Sequence, residues 1–267
     1  MNPGAAAAAT ADPADTVANA RPLLAAQTLT CRFGGVLAVD AVSVAFARGS
    51  VHAVIGTNGA GKSTLMNLLS GELRATGGRV LLKGEDVTAW SQPRRARAGI
   101  GRSYQRTTVF PLFSVLENCR LAAQARWQRA HDWWTAAARC ERSVEAARAA
   151  AASVGLSPLL DRTAAALSHG QRRQLEIAMC LAAGPEVLLL DEPLAGMGAE
   201  ETERLLALLE ALRPQHAIAL VEHDMDAVFR IADRITVMAN GSVVASGTPA
   251  AVKADERVQA VYLGVAE

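Results

Sequence analysis

The segment Gly56-Thr57-Asn58-Gly59-Ala60-Gly61-Lys62-Ser63 fits the pattern G-x-x-x-x-G-K-[ST]. The chemistry of that pattern is phosphate binding. Glycines let backbone N–H groups turn inward around phosphate oxygens, and the start of a helix adds positive potential. Lys62 supplies a mobile charge to β- and γ-phosphates. The Ser63 hydroxyl is a ligand for Mg²⁺, with Thr64 as a helper. A second group, Asp191-Glu192-Pro193, follows the apolar run Val187-Leu188-Leu189-Leu190. Ligands of parallel α/β sheets bind outside the carboxyl ends of strands, so these carboxylates stand where chemistry occurs. Asp191 is suited to hold Mg²⁺, and Glu192 to polarise an attacking water as a general base.

These residues need rigid elements behind them. Val51-His52-Ala53-Val54-Ile55 ends in glycine and reads as a buried strand delivering the loop. Lys62 to Leu69 reads as a helix with Leu65, Leu68 and Leu69 on one face and Gly71 as its stop. Upstream, Leu29–Cys31 and Val42–Phe46 read as strands. Gly77-Gly78 reads as a turn before a strand over 79–83. Residues 93–184 change character. They hold Ala/Arg-rich stretches, notably 136–154, and three of the four tryptophans (Trp127, Trp133, Trp134), and read as a mostly helical subdomain.

Alternation of strand and helix then resumes. Val187–Leu190 and Ile218–Val221 read as strands, and Glu200–Leu212 and Met225–Ile231 as helices. Asn240-Gly241 between two apolar runs predicts a type I′ hairpin. Thr248-Pro249 predicts a cap and first turn of a closing helix. Such alternation implies an α/β fold, a parallel sheet with helices on both faces.

Leu167-Ser168-His169-Gly170-Gln171 comes just before the acidic strand and resembles the signature motif of ATP-binding-cassette (ABC) ATPases. With the phosphate loop, Gln105, Asp191-Glu192 and His223, it gives the ABC order over about residues 23–264. Taken singly, a Gly-rich turn, an acidic turn, a surface glutamine or a helix cap explains each motif; five in order do not arise that way. The resemblance implies a P-loop NTPase core. An N-terminal antiparallel β-subdomain and an inserted α-helical subdomain accompany it. It divides the chain into an Ala-rich disordered tail (1–21) and an ATPase domain (22–267). Within that domain, 22–92 and 185–267 form the ATP-binding core, and 93–184 the helical part.

It also implies roles. Phe33 looks like the aromatic that stacks on adenine. Gln105 looks like the residue that reaches Mg²⁺ and the lytic water, and an amide can donate and accept without titrating. Ser168, Gly170 and Gln171 would serve ATP bound by a second subunit, with Ser168 also capping the following helix. His223 looks like the histidine at the γ-phosphate. Two positions depart from the usual pattern: His169 replaces a common glycine, and Gly198 stands where an aspartate is frequent.

Finer resemblances point to importers of branched-chain or related amino acids. They are Phe33–Val39, Gly101–Phe110, Val115–Asn118 and Gly170–Ile177. Importers of urea or short-chain amides are the alternative, since Ala195–Met197, Glu201–Arg204 and Val261-Tyr262-Leu263-Gly264 resemble those as well, and a soluble ABC ATPase outside transport is a third reading. The implied partners are a second ATPase subunit, the same or a sibling chain, and two transmembrane permease chains. A periplasmic or extracellular solute-binding protein acts indirectly. The implied location is the cytoplasmic face of the membrane.

Composition is consistent with this. Lys+Arg 27 against Asp+Glu 26 gives a net charge of +1, which disfavours bulk nucleic-acid binding. No run approaches the ~20 apolar residues of a membrane span. The first residues lack the basic start of a secretory signal. Cys31, Cys119, Cys140 and Cys180 are scattered and read as reduced thiols. A chain of 267 residues builds a core without metal or disulfide.

Overall fold

The computed structural model describes residues 21–103, 109–127 and 140–263, and the side chains of Trp127 and 261–263 are not included. Nearly all of the Ala-rich tail, together with Gln105, Trp133 and Trp134, lies outside the described residues.

Strands β1 (Leu24–Phe33) and β2 (Val36–Phe46) open the chain as a hairpin. β3 (Ser50–Gly56) delivers the phosphate loop, and α1 (Lys62–Ser70) leaves it, ending at a left-handed Gly71. β4 (Gly77–Leu82) and the short β5 (Glu85–Asp86) complete a four-stranded antiparallel sheet in the order β2-β1-β4-β5. Gly77 and Gly78 are inside β4 rather than in a turn before it. Gly78 (φ +80°) sits in a register break against β1. A β-carbon there would lie 2.3 Å from the Thr28 carbonyl oxygen. The glycine pair answers a bulge, not a turn.

α2 (Gln92–Arg97) leads to β6 (Ile100–Arg102). This strand lies within the stretch read as helical, yet it pairs with the core sheet; three residues are too few to show a strand period. The helical part follows it. It consists of α3 (Val115–Trp127), α4 (Glu141–Ser153) and α5 (His169–Ala182), which pack on one another. Helix α4 falls within the predicted 136–154.

The core resumes with β7 (Val187–Asp191), α6 (Ala199–Leu212), β8 (Ala217–Val221) and α7 (Met225–Ile231). β9 (Arg234–Ala239) and β10 (Ser242–Gly247) form the predicted hairpin. Asn240 and Gly241 take φ +49° and +81°, as a type I′ turn requires. α8 (Pro249–Ala254) is capped by the Thr248 hydroxyl, and α9 (Glu256–Leu263) closes the described chain.

The second sheet has the order β10-β9-β3-β8-β7-β6, parallel except for β10. Its central strands β3, β7 and β8 are buried on both faces, and alternate residues enter different cores. Leu188, Leu190, Ile218 and Leu220 pack toward α5, α6 and α7. Val187, Leu189, Ala217 and Ala219 pack toward α1 and the antiparallel sheet. The fold is therefore α/β, a mostly parallel core sheet with an antiparallel β-layer beside it. Register matters for the site. Val221 lies beside both Val54 and Asp191, so the carboxyl ends of β3, β8 and β7 are level.

Arg95 is a buried charge that holds the rear of the loop helix. Its guanidinium donates to the carbonyls of Leu68 and Leu69 at 2.7 and 2.9 Å, and to that of Thr88 at 2.9 Å. A cation there meets the negative end of α1 and its unpaired carbonyls.

His52 on β3 is also buried. Its Nδ1 donates to the Ala45 carbonyl at 2.9 Å, and its Nε2 accepts from the Thr236 hydroxyl at 2.8 Å. Burial, aided by the charge of Arg234, pushes its pKa down to about 4 against the bond to Ala45. The folded state thus resists protonation that the unfolded chain accepts near pH 6.5. Stability falls as pH drops from there toward 4. The His52 contribution amounts to ~3 kcal/mol. Denaturant unfolding of wild type and His52→Gln should show their stability gap shrinking by about that amount between pH 7 and 4. A gap independent of pH would contradict the assignment.

Candidate functional site

β3 ends beside β9, with Gly56 paired to Met238. Gly56 takes φ +152°, and a β-carbon on it would stand 2.1 Å from the Met238 carbonyl oxygen. At the other end of the loop Gly61 takes φ +97°, with the Ala38 carbonyl oxygen 2.4 Å from where its β-carbon would be. The hairpin turn ties both sides together. Gly241 N–H donates to the Ala60 carbonyl at 3.1 Å, and the Gly241 carbonyl accepts from Asp40 N–H at 2.9 Å.

A cavity of about 560 Å³ lies over this loop. Its floor is Asn58 through Thr64, with Glu192 and His223 on one wall. Val36, Leu37 and Ala38 form an apolar wall, with Asn240 and Gly241 nearby. Gly56 and Thr57 lie behind the floor. Phe33, half exposed, does not line the cavity itself but pairs across the hairpin with Val36, which does. Lys62 is buried. Its ammonium donates to the carbonyls of Gly56 and Thr57 at 2.8 and 3.0 Å. Burial lowers its pKa, while Glu192 and Asp191 oppose the shift.

Asp191 is also buried. Burial first, then the charge of Glu192, raises its pKa, against Arg102, Lys62 and His223. Its Oδ1 has no hydrogen-bond partner among the described residues. A buried carboxylate oxygen without a donor is costly, and a cation beside it removes that cost. With the Ser63 hydroxyl on the cavity floor, this oxygen donor set has the chemistry that suits Mg²⁺.

Glu192 has φ +50°, a left-handed conformation that costs a non-glycine residue ~1–3 kcal/mol unless its surroundings impose it. Its N–H donates to the Val221 carbonyl at 2.8 Å, and its own carbonyl accepts from Ala195 N–H at 3.2 Å. The Arg173 guanidinium approaches the same carbonyl at 3.5 Å. This turn throws the Glu192 side chain into the cavity, where Oε1 lies 2.5 Å from His223 Nε2. The carboxylate is mostly buried, whereas the imidazole is half exposed. Such a pair can accept a proton from water and share it.

Ser168, Gly170 and Gln171 lie elsewhere, at the start of α5. Gln171 N–H donates to Ser168 Oγ at 3.2 Å, and Ser168 N–H donates to Gln171 Oε1 at 3.0 Å, a reciprocal capping box. Gly170 leaves room for Glu201, whose carboxylate oxygen is 2.3 Å from where a β-carbon would be. With Met197, Glu201 and Arg204 these residues line a small depression separate from the main cavity. The departure at His169 meets a neighbour without a side chain. Its imidazole lies 3.2 Å from the β-carbon position of Gly196 (φ +75°). Gly198 accepts nothing through a side chain; it caps α6 through its backbone, donating to Glu201 at 3.4 Å.

Glu222 was not among the residues expected from sequence. It is buried, and its carboxylate accepts from Leu194 N–H at 2.6 Å and His223 N–H at 3.1 Å. The available signal was the one that marked Asp191-Glu192, a carboxylate emerging from an apolar strand.

A glycine loop opening a helix, beside level strand ends that carry carboxylates, defines a P-loop nucleotide-binding ATPase cassette. A family model described as "ABC transporter" matches residues 39–195. One described as "Branched-chain amino acid ATP-binding cassette transporter" matches residues 242–267. The chain is 39% identical over 254 residues to the high-affinity branched-chain amino acid transport ATP-binding protein BraF of Pseudomonas aeruginosa, covering 92% of this chain and 99% of that protein. It is 37% identical over 253 residues to the corresponding protein LivG of Escherichia coli K12, covering 92% and 99%. Among solved structures, a nucleotide-free ATP-binding cassette from an ABC transporter superposes with a TM-score of 0.82 at 29% identity, covering 92% of this chain and 100% of that one. The ADP conformation of MJ1267, another such cassette, gives 0.81 at 30%, covering 91% and 99%. The chain belongs to the ABC transporter ATP-binding family, whose general activity is ATP hydrolysis coupled to transport.

The clearance at Gly56 yields a direct test. Gly56→Ala places a methyl group against the Met238 carbonyl and should destabilise the fold by ~1–3 kcal/mol, as overpacked sites do. It should also weaken nucleotide binding. Unchanged melting temperature and unchanged ATP affinity would show that the loop is not wedged as described.

Proposed function

We propose that the chain is the nucleotide-binding subunit of an importer for branched-chain or related amino acids. The observation that carries the catalytic part is the meeting of Glu192 and His223 at 2.5 Å on the cavity that contains the phosphate loop. The substrate class is supported by the identity with BraF and LivG and by the carboxyl-terminal match over 242–267.

In this reading Lys62 releases the carbonyls of Gly56 and Thr57 to meet phosphate. Loop N–H groups from Asn58 to Thr64 surround the β- and γ-phosphates. Phe33 and Val36 flank the base. Ser63 and Asp191 would hold Mg²⁺, with Gln105 beside it, and the bound ion would supply neutralisation of phosphate charge. Glu192 takes the proton of the attacking water, and His223 orients that carboxylate and contacts the γ-phosphate.

Ser168, Gly170 and Gln171 lie outside the cavity that holds the loop, which supports their acting on ATP bound by a second subunit. Two cassettes then face head to tail, and ATP is the ligand that favours the closed pair. Hydrolysis removes the bridging γ-phosphate. A groove of about 250 Å³ between α2, β6 and the helical part is lined by Gln92, Ala96, Ala122, Met179 and Cys180. Exposed Phe110, Leu112 and Phe113 lie on the segment that enters α3. Exposed apolar surface of this kind suits docking of two permease chains. None of the described helices is long and apolar enough to cross a membrane. In this reading the cassette sits at the cytoplasmic face of the inner membrane beside its permease chains, with a solute-binding protein acting on the other side.

Glu192→Gln should retain ATP and slow turnover by about 10²-fold or more, the scale of a lost general base. Normal ATP turnover would remove Glu192 from that role. Mixing separately inactive Lys62→Ala and Ser168→Ala subunits should restore activity, because one composite site is then intact. No recovery under conditions that form mixed dimers would contradict shared sites. Purification of the full chain from its membrane should bring down two hydrophobic permease chains. Ribosomes or DNA in their place would overturn the transport reading.

A further inference from the structure

We infer that Glu222 is a positioning residue for hydrolysis, holding the turn after Glu192 and the turn bearing His223 as one unit. The inference rests on the proposed roles of Glu192 and His223 and extends them to a residue outside the cavity.

Glu222 immediately follows β8, and its side chain is 3% exposed. It does not line the nucleotide cavity. Its two oxygens serve two different turns. Oε1 accepts from Leu194 N–H at 2.6 Å, in the turn that follows β7. Oε2 accepts from His223 N–H at 3.1 Å, in the turn that follows β8. Those turns carry the two side chains that meet at 2.5 Å in the cavity. Glu222 therefore bridges the same two turns from behind.

The need for such a bridge is visible in the backbone. Glu192 holds φ +50°, which persists only where neighbouring bonds over-determine it. Its N–H is fixed to Val221, and two residues on, the chain is fixed to Glu222. Val221 and Glu222 are adjacent, so one strand end holds the turn at two points. The chemistry of the bridge demands a carboxylate. The two N–H donors meet different oxygens, so both oxygens must be acceptors. Glutamine has the same shape but one acceptor; its amide N–H₂ would confront one of the two donors, leaving a buried N–H unmet.

The test is Glu222→Gln in the full chain within its assembled transporter. Misplacing a reacting group by about 1 Å costs up to ~10²-fold. kcat should therefore fall 10- to 100-fold, while KM and Kd for ATP stay within about threefold. A merely structural role predicts the same fractional loss in any background. A positioning role predicts that Glu222→Gln adds less than twofold to the loss already caused by His223→Ala. Unchanged kcat, or full multiplication of the two losses, overturns the inference. If Glu222→Gln lacks a cooperative unfolding transition, Glu222→Asp is read the same way, since it keeps both oxygens but sets them one methylene back. A kcat loss of fivefold or more at unchanged ATP affinity supports the inference, and a smaller loss overturns it. Glu192→Gln measured alongside separates the two levels. If it turns over normally, the base assignment fails. If it is slow while Glu222→Gln is normal, only the positioning role fails.

Discussion

Where the phosphate loop leaves β3, it has no room for a side chain. The Met238 carbonyl oxygen stands 2.1 Å from the β-carbon position of Gly56, and the Ala38 carbonyl oxygen 2.4 Å from that of Gly61. The loop is thus wedged between the antiparallel layer and the β9–β10 hairpin, and Gly241 bonds to both sides. That clearance sets the direction of α1, whose amino end faces the cavity and whose carboxyl end is held by Arg95. The rest of the site is arranged around this fixed element. β3 lies centrally in its sheet, with β8 and β7 on one side and β9 on the other. Parallel register brings their carboxyl ends level.

Around the wedge the molecule tolerates costs that a structural core would avoid. Burying a charged group without compensation costs several kcal/mol. Lys62, Asp191 and Glu222 are all buried within a few residues of one another in space or across adjacent strands. Lys62 and Glu222 are compensated by backbone groups: carbonyls for the ammonium, N–H groups for the carboxylate. Asp191 is not fully compensated, since one oxygen lacks a donor. With the left-handed Glu192 next to it, a strained backbone and an unmet carboxylate oxygen stand side by side at the end of β7. Ground-state costs of this kind persist where a ligand or a reaction uses them.

Much of this was legible in the sequence, and the reasons are physical. The loop was legible because its glycines obey a spacing imposed by phosphate geometry. β3, β7 and β8 were legible because strands buried on both faces are continuous apolar runs. Ser168, Thr248 and Asn240-Gly241 were legible because caps and type I′ turns depend on local chemistry alone. What escaped depends on partners distant in sequence. Edge strand β6 has only three residues, and its pairing with β7 joins positions some 87 apart. Gly78 was read as a turn because its need for φ +80° arises from Thr28 across the sheet. The role of Glu222 depends on Leu194, 28 positions away. The helical part was recognised by composition, but its start after β6 required the sheet. The substitution His169 makes sense only beside Gly196, which lies 27 positions away.

The central claim is that the wedged loop reads the phosphates of a nucleotide. Isothermal titration of the full chain with ATP, ADP and AMP in the presence of Mg²⁺ tests it most directly. ATP and ADP should both bind, and AMP should bind about 100-fold more weakly than ADP, the ~3 kcal/mol expected for losing charge-assisted bonds to the β-phosphate. Equal affinity for all three nucleotides would contradict the account.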